Sequence, residues 1–347
     1  MKFDKGKRDF IKRSIGLGLG IYGVTRLEYP FTGVAEARSN DSKVVIARDK
    51  SVINGNFKID PQIVRKMLDD AVTKLAGTKS ASRAWREYYN SDDVVGIKIN
   101  ALSGRWMSSR PELVAAIADG LRLAGVKEKN MIIWDKSDRE LVEAGFKLNR
   151  KASNDPKCFG TSPHVNYEDD IRMYESIASK LTRIVPACTA FVNVPVLKHH
   201  TMAGVTLSLK NWFGAINNPN KYHFDVSSDN FIPDLNTMLF SKSGIGKRQP
   251  LIICDAIMAQ YDMGPGYRPN KAWNYSGLIV STDPVALDRI GAQIIERKRR
   301  EVGLKSLAEM EREPKYISIA ADKLHKLGTD DPSKIELVSA GNLITDI

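Results

Sequence analysis

The chain has 347 residues, 42% hydrophobic and 27% charged, which excludes a disordered polymer and allows one large core or two modest ones. Lys and Arg outnumber Asp and Glu by 52 to 41, a formal charge of +11; on a chain whose start reads as an export signal, this favours small anionic partners over nucleic acid. No apolar run reaches the ~18 residues that would mark a membrane span, so no stable span is expected after processing.

Residues 1–37 read as a targeting segment. Lys7 to Lys12 (KRDFIK) resembles a twin-arginine export motif with Lys7 in place of the first arginine. A mildly apolar, Gly-rich stretch follows from Ser14 to Val24, and Ala35-Glu36-Ala37 offers a small-x-small cleavage pattern. The expected partner is the twin-arginine export machinery, and the expected location is periplasmic or otherwise exported.

Residues 38–347 alternate strand-like and helix-like segments. Strands are expected at Lys43–Arg48, Asp93–Asn100, Met131–Asp135, Ala190–Val196, Leu251–Ile257, Ser276–Ser281 and Ile335–Val338. Helices are expected at Pro61–Leu75, Pro111–Ala124 (Pro at the first turn, Gly125 as the stop), Asp138–Ala144, Tyr174–Lys180, Val205–Phe213, Phe231–Phe240, Pro284–Arg297 and Ile317–Leu327. Asn149 to Ser162 reads as a loop or small insertion, and the Glu296–Glu301 run as a solvated helix end. The fold class that follows is a single three-layer α/β domain: a mostly parallel sheet, helices on both faces and an inserted loop region. Cys158, Cys188 and Cys254 lie far apart with no C-x-x-C, so an iron–sulfur cluster is not expected.

In open α/β sheets ligands bind outside the carboxyl ends of the strands. The strand ends carry Lys98 and Asn100, then Asp135, then Lys198-His199-His200, then Asp255, then Asp283, and together they should form one polar edge. Adjacent residues of an extended chain point opposite ways, so only one of His199 and His200 faces a shared site; we choose His200, with His223 of the Asn217–Ser228 loop as its partner. Lys210-Asn211 lies one helical turn beyond Thr206, and with Lys198 these residues suit a carboxylate or phosphate. Burial would also make a lysine a base or an imine former. Two histidines and an aspartate (His200, His223, Asp255) suit a divalent metal; the alternative is that each histidine bonds a backbone carbonyl or contacts an anion. Gly264 and Gly266 flank Pro265 in a turn that lets backbone approach a ligand. Asp283 reads as the N-cap of the helix that starts at Pro284.

VVGIKIN, the Pro111–Gly125 helix, IIWD, VPVLKHH with TLSLKNWFG, the His223 loop, IICDAI, the Gly-Pro-Gly turn and STDPVALD occur in the order seen in the domain of unknown function 362 family. The chain resembles that family over residues 43–298, and more narrowly its exported branch. Many relatives carry a ferredoxin-like cysteine cluster that this chain lacks. The resemblance implies an α/β fold and a shared site at Lys98, Asn100, Asp135, Lys198, His200, Lys210, Asn211, His223 and Asp255. The family's Lys-x-His pattern supports His200 over His199. It supplies no substrate or cofactor. The reading that follows is an exported enzyme acting on or with a small anionic ligand, with His200, His223, Lys198 and Lys210 in catalytic roles and Lys98, Asn100, Asp135, Asn211, Asp255, Gly264 and Gly266 in binding. The alternative is a non-catalytic carrier of a small anion, a metal or a cofactor.

Overall fold

The structure is a computed structural model that describes residues 42–55, 58–151, 155–162, 165–223 and 228–340. The segment expected to direct export lies outside these residues. In chain order the strands are β1 (Ser42–Arg48), β2 (Val95–Ile99), β3 (Met131–Trp134), β4 (Lys157–Cys158), β5 (Arg172–Tyr174), β6 (Ile177–Ser179), β7 (Ala190–Val194), β8 (Val196–His200), β9 (Gly204–Thr206), β10 (Arg248–Gln260), β11 (Ala272–Ser281) and β12 (Ile335–Ala340). The main sheet runs β12-β1-β11-β10-β7-β2-β3-β4, with β8 paired to β10 and β9. Along that path only β11 runs against its neighbours.

Side chains alternate between two cores, as the two-residue period of a strand requires. In β7, Ala190, Val192 and Val194 join the core beneath helices Pro61–Ala76, Ala81–Tyr88 and Pro111–Leu123. Phe191 joins the opposite core, with Trp134 and Trp212, beneath Ser228–Phe240 and Pro284–Glu301. The result is the expected three-layer α/β architecture with a mostly parallel sheet. Local signals set the helix limits. Asp60 accepts hydrogen bonds from the N–H groups of Gln62 and Ile63 at the start of the first helix, and Gly77 ends it in the left-handed region at φ +66°. Asp283 caps Pro284–Glu301 through the N–H groups of Val285 and Ala286, as expected.

Several elements differ from the sequence reading. Tyr174–Lys180 is not a helix but the hairpin β5–β6: Glu175 takes a positive φ, and Ser176 is tied to Asp234 of the helix Ser228–Phe240. Val205–Phe213 is not one helix either. Leu207 is extended, dividing β9 from a short helix, Ser208–Asn211. The helix Ala81–Tyr88 was not expected. Expected at Ile317–Leu327, the next helix is the shorter Tyr316–Ala320. The basic run at the end of Pro284–Glu301 is only partly solvated: Arg299 is buried and donates to the carbonyls of Tyr261 and Lys305 and to Asp262.

Candidate functional site

The chain leaves β2 towards β3 through the helix Pro111–Leu123, on one face of the sheet. It leaves β7 towards β10 through Ser228–Phe240, on the other. The carboxyl ends of β2 and β7 therefore flank the point where the winding reverses, which is where open α/β sheets leave a crevice. A cleft of about 320 Å³ opens there, at the lower end of small-molecule sites. Lys98, Asn100, Asp135, His200, Thr206, Lys210, Asn211, Gly214 and His223 all line it. A roomier depression of about 520 Å³ at Glu168, Arg172 and Arg183 is built from surface ion pairs.

The floor is a closed polar network. Lys98 Nζ pairs with Asp135 Oδ1 at 2.8 Å and donates to Ile99 O and Asn211 Oδ1. Asp135 Oδ2 accepts the Ala101 N–H at 2.7 Å. Asn211 accepts from Asn100 Nδ2 and donates to Asn193 Oδ1, and Asn193 donates to Ser208 O. Asp288 holds the start of the short helix by accepting from Ser208 N, Ser208 Oγ and Leu209 N; burial raises its pKa to about 7. Strand ends and one short helix are thereby locked together, with every N–H of Lys98 spent.

The wall is less committed. His200 Nδ1 accepts the N–H groups of Met202 and Ala203, which leaves the ring proton on Nε2. Burial, then neighbouring Lys210, pushes its pKa far below the ordinary histidine value, so the ring is a neutral Nε2–H donor. Its ring stacks on His223 at 5.5 Å between centroids. His223 has the opposite tautomer. Pro219 O can only accept, so Nδ1 carries the proton at 2.9 Å from it, and the Nε2 lone pair faces Lys210 Nζ at 2.8 Å. Burial, then Lys210, lowers His223 to about 4. Lys210 lies 4.0 Å above the Phe213 ring, and burial alone lowers it to about 7. Among the described residues it has no carboxylate partner within ion-pair distance. Thr206 Oγ1 is likewise buried with no partner among them.

Other expected site residues lie elsewhere. Lys198 sits behind the cleft, fully buried, and gives its three N–H bonds to Asn100 Oδ1, Ser103 Oγ and Met107 O, so it positions Asn100 and does not meet a ligand. Burial lowers its pKa to about 7. Asp255 is not at a strand end, because β10 continues to Gln260; it is buried against Arg110, whose guanidinium and N–H it accepts. Asp283 lies towards the opposite edge, because β11 is antiparallel. Gly264 packs its backbone on His199 O, and its N–H donates to His199 Nδ1. Gly266 O accepts from Gln260. Neither glycine lines the cleft, but Pro265 between them does. Thr206 and Lys210 both reach the cleft, although from a strand and a helix instead of one helical face.

His200, His223 and Asp255 do not fit a metal as a set. Asp255 is committed to Arg110, His200 presents a proton, and the one free lone pair of His223 faces a lysine. Among the described residues no group of three His, Cys, Asp or Glu side chains is placed to hold an ion. The sequence reading passed over Leu102, Lys136, Glu140, Phe213, Gly214, Pro219 and Asn220. Gly214 had a signal, a glycine directly after an aromatic pair at the point where the expected helix ends. A Cβ there would stand 2.6 Å from Asp135 Oδ1 and 3.0 Å from Lys98 Nζ.

No curated protein matches the chain. Among solved structures it is similar to a Thermotoga maritima protein known from a crystal structure, at 12% identity and TM-score 0.42, over 70% of this chain. The chain spans 59% of the length of that protein. Residues 95–293, more than half of the chain, match the family described as Domain of unknown function (DUF362). That span contains every cleft residue from Lys98 to Pro265, and the chain belongs to this family.

Proposed function

We propose that the cleft binds a small organic anion and that the Lys210–His223 pair moves a proton on it. One observation carries the reading: Lys210 is a buried amine with no carboxylate partner among the described residues, 2.8 Å from an imidazole lone pair, in an open cleft. Lys98 is neutralised by Asp135 and Lys136 is offset by Glu140 in the same lining, so the attraction left for a ligand comes from Lys210, with Lys136, the Nε2–H of His200 and the hydroxyl of Thr206 as further donors. Leu102, Phe213, Pro219 and Pro265 thin the water around these groups and strengthen each charge–ligand contact. A group that titrates near neutral pH is efficient in general acid–base transfer. Export by the twin-arginine route also belongs to this proposal; it rests on residues 1–37 and is tested by fusing them to a folded reporter and following its localisation.

Titration calorimetry with acetate, pyruvate and inorganic phosphate tests the binding reading. At least one should bind, and Lys210→Met should weaken it about tenfold or more, the worth of one hydrogen bond to a charged group. Equal affinity in the variant, or no binding of any of the three, refutes it. A carrier differs from an enzyme in one respect: His223→Gln would keep the affinity and there would be no turnover to lose.

A further inference from the structure

Three lysines are buried at this edge of the sheet: Lys98, Lys198 and Lys210. Two of them are chemically closed. Lys98 has Asp135, Ile99 O and Asn211 around Nζ; Lys198 has Asn100, Ser103 and Met107 O. Each has three acceptors for three N–H bonds, so neither can present a lone pair without losing a buried hydrogen bond. Lys210 is different. Its one polar partner among the described residues is His223 Nε2, itself an acceptor held in that tautomer by Pro219 O. A neutral Lys210 can give one N–H to His223 and still aim its lone pair into the cleft. Phe213 packs against Nζ, a face that favours the ammonium but offers no hydrogen bond.

From this contrast we infer that Lys210 is a nucleophile that forms an imine with a small 2-oxo acid bound in the cleft. The inference rests on the anion-binding reading above and narrows its ligand to a carboxylate next to a carbonyl. Lys136 and Thr206 are the donors available to the carboxylate, and His200 Nε2–H to the carbonyl oxygen. Nζ attacks the carbonyl carbon, forming the C–N bond while the C=O pair moves to oxygen. His223 Nε2 takes a proton from Nζ and returns it to that oxygen, giving the carbinolamine. The hydroxyl leaves as water with the proton that the ammonium had released to solvent on becoming the neutral amine, and the nitrogen lone pair closes the C=N bond. Ammonium and ketone become protonated imine and water, with no oxidant or reductant consumed. Burial, which brings Lys210 to about 7, supplies the neutral amine at physiological pH.

The test is reductive trapping. The full chain is incubated with pyruvate and cyanoborohydride at pH 7, and the product is mapped by peptide mass spectrometry. One reduced pyruvyl group should appear at Lys210, ahead of the exposed lysines. Lys210→Arg should abolish it, and His223→Gln should slow it about a hundredfold, the low end of general-base assistance. Excess acetate should slow it by competition. Should Lys210→Arg fail to fold, the rate–pH profile of wild-type trapping serves instead: labelling of Lys210 should level off just above pH 7, whereas labelling of exposed lysines climbs to about 10. If pyruvate binds in calorimetry and Lys210 is not trapped, the imine is overturned and the binding reading survives. If none of pyruvate, acetate and phosphate binds, both are overturned. Labelling spread evenly over the surface lysines also overturns it.

Discussion

Gly214→Ala isolates the floor of the cleft. The new methyl would sit 2.6 Å from Asp135 Oδ1, 2.9 Å from Lys98 Cε and 3.0 Å from Lys98 Nζ, all closer than a carbon can stand. Neither partner can withdraw cheaply. Asp135 also holds the Ala101 N–H, and Lys98 holds two further acceptors. Overpacking a tight interior costs ~1–3 kcal/mol, and outright loss of one member of a buried pair ~3–5 kcal/mol. A strained but surviving pair lies between, so a loss of about 3 kcal/mol is expected, or a drop of about 1 M in the urea midpoint for an m-value near 3 kcal/mol/M. Gly266→Ala is the control: nothing stands within 4 Å of its Cβ position, and its unfolding free energy should stay within about 0.5 kcal/mol of wild type. Urea unfolding of both variants, followed by tryptophan fluorescence, reads the difference. A Gly214→Ala protein with the wild-type midpoint would refute the claim that backbone presses on the Lys98–Asp135 pair.

Arg110→Met should leave Asp255 as an unpaired buried charge and cost ~3–5 kcal/mol of unfolding free energy, yet leave the affinity for acetate unchanged; a selective loss of affinity would return Asp255 to the site. His200→Phe keeps a ring to stack on His223 but removes the Nε2–H donor and the Nδ1 acceptor of the Met202 and Ala203 N–H groups, so anion affinity should fall about tenfold and stability by ~1–3 kcal/mol. Nitrogen NMR of the wild type should show His200 as the Nε2–H tautomer throughout pH 5–8, because its pKa is driven far below that window.

Much of this edge was legible because parallel strands are written plainly. β2 and β3 are short apolar runs that stop at polar residues, and the alternation of an extended chain separates His200 from His199. The same rule misled where a strand's length or direction was hidden. Asp255 looks terminal after an apolar run, but β10 carries on through Ala256, Ile257, Met258 and Ala259, and a buried Arg110 neutralises the charge. Asp283 does end its strand, but no local pattern says that β11 runs backwards; that depends on its pairing with β1 and β10. The segment from Val205 to Phe213 reads as helix by spacing. Asp288, eighty residues on, caps the chain at Ser208 and Leu209 and so delays the helix start. Tertiary partners of this kind also decide which of three buried lysines is saturated and which is open.

The open lysine should be visible in the pH dependence of stability. Lys198 and Lys210 have an unfolded pKa near 10.5 and folded values near 7. Between those limits the unfolded chain binds more lysine protons than the folded one, so these two groups make unfolding free energy rise with pH above about 7. Each lysine contributes at most ~1.4 kcal/mol per pH unit. His325 has the opposite sign: Asp234 and Asp322 raise its pKa above 6.5, so its contribution is complete below 6.5 and disappears as pH passes the raised value. Burial raises the thiols of Cys158, Cys188 and Cys254, which turns the balance downward as pH passes the ordinary thiol range, so the net upward slope is expected between about pH 7 and 8.5. Lys210→Met removes one of the two lysine terms and should flatten the slope by about half above pH 7. Bound acetate should do something similar by another route, since it holds Lys210 charged and stabilises the fold more at pH 6 than at pH 9. Urea midpoints at about pH 6, 7.5 and 8.5 distinguish these cases. Identical slopes for wild type and Lys210→Met would mean that Lys210 keeps an ordinary pKa, and both its proton transfer and its nucleophilicity at neutral pH would lose their basis.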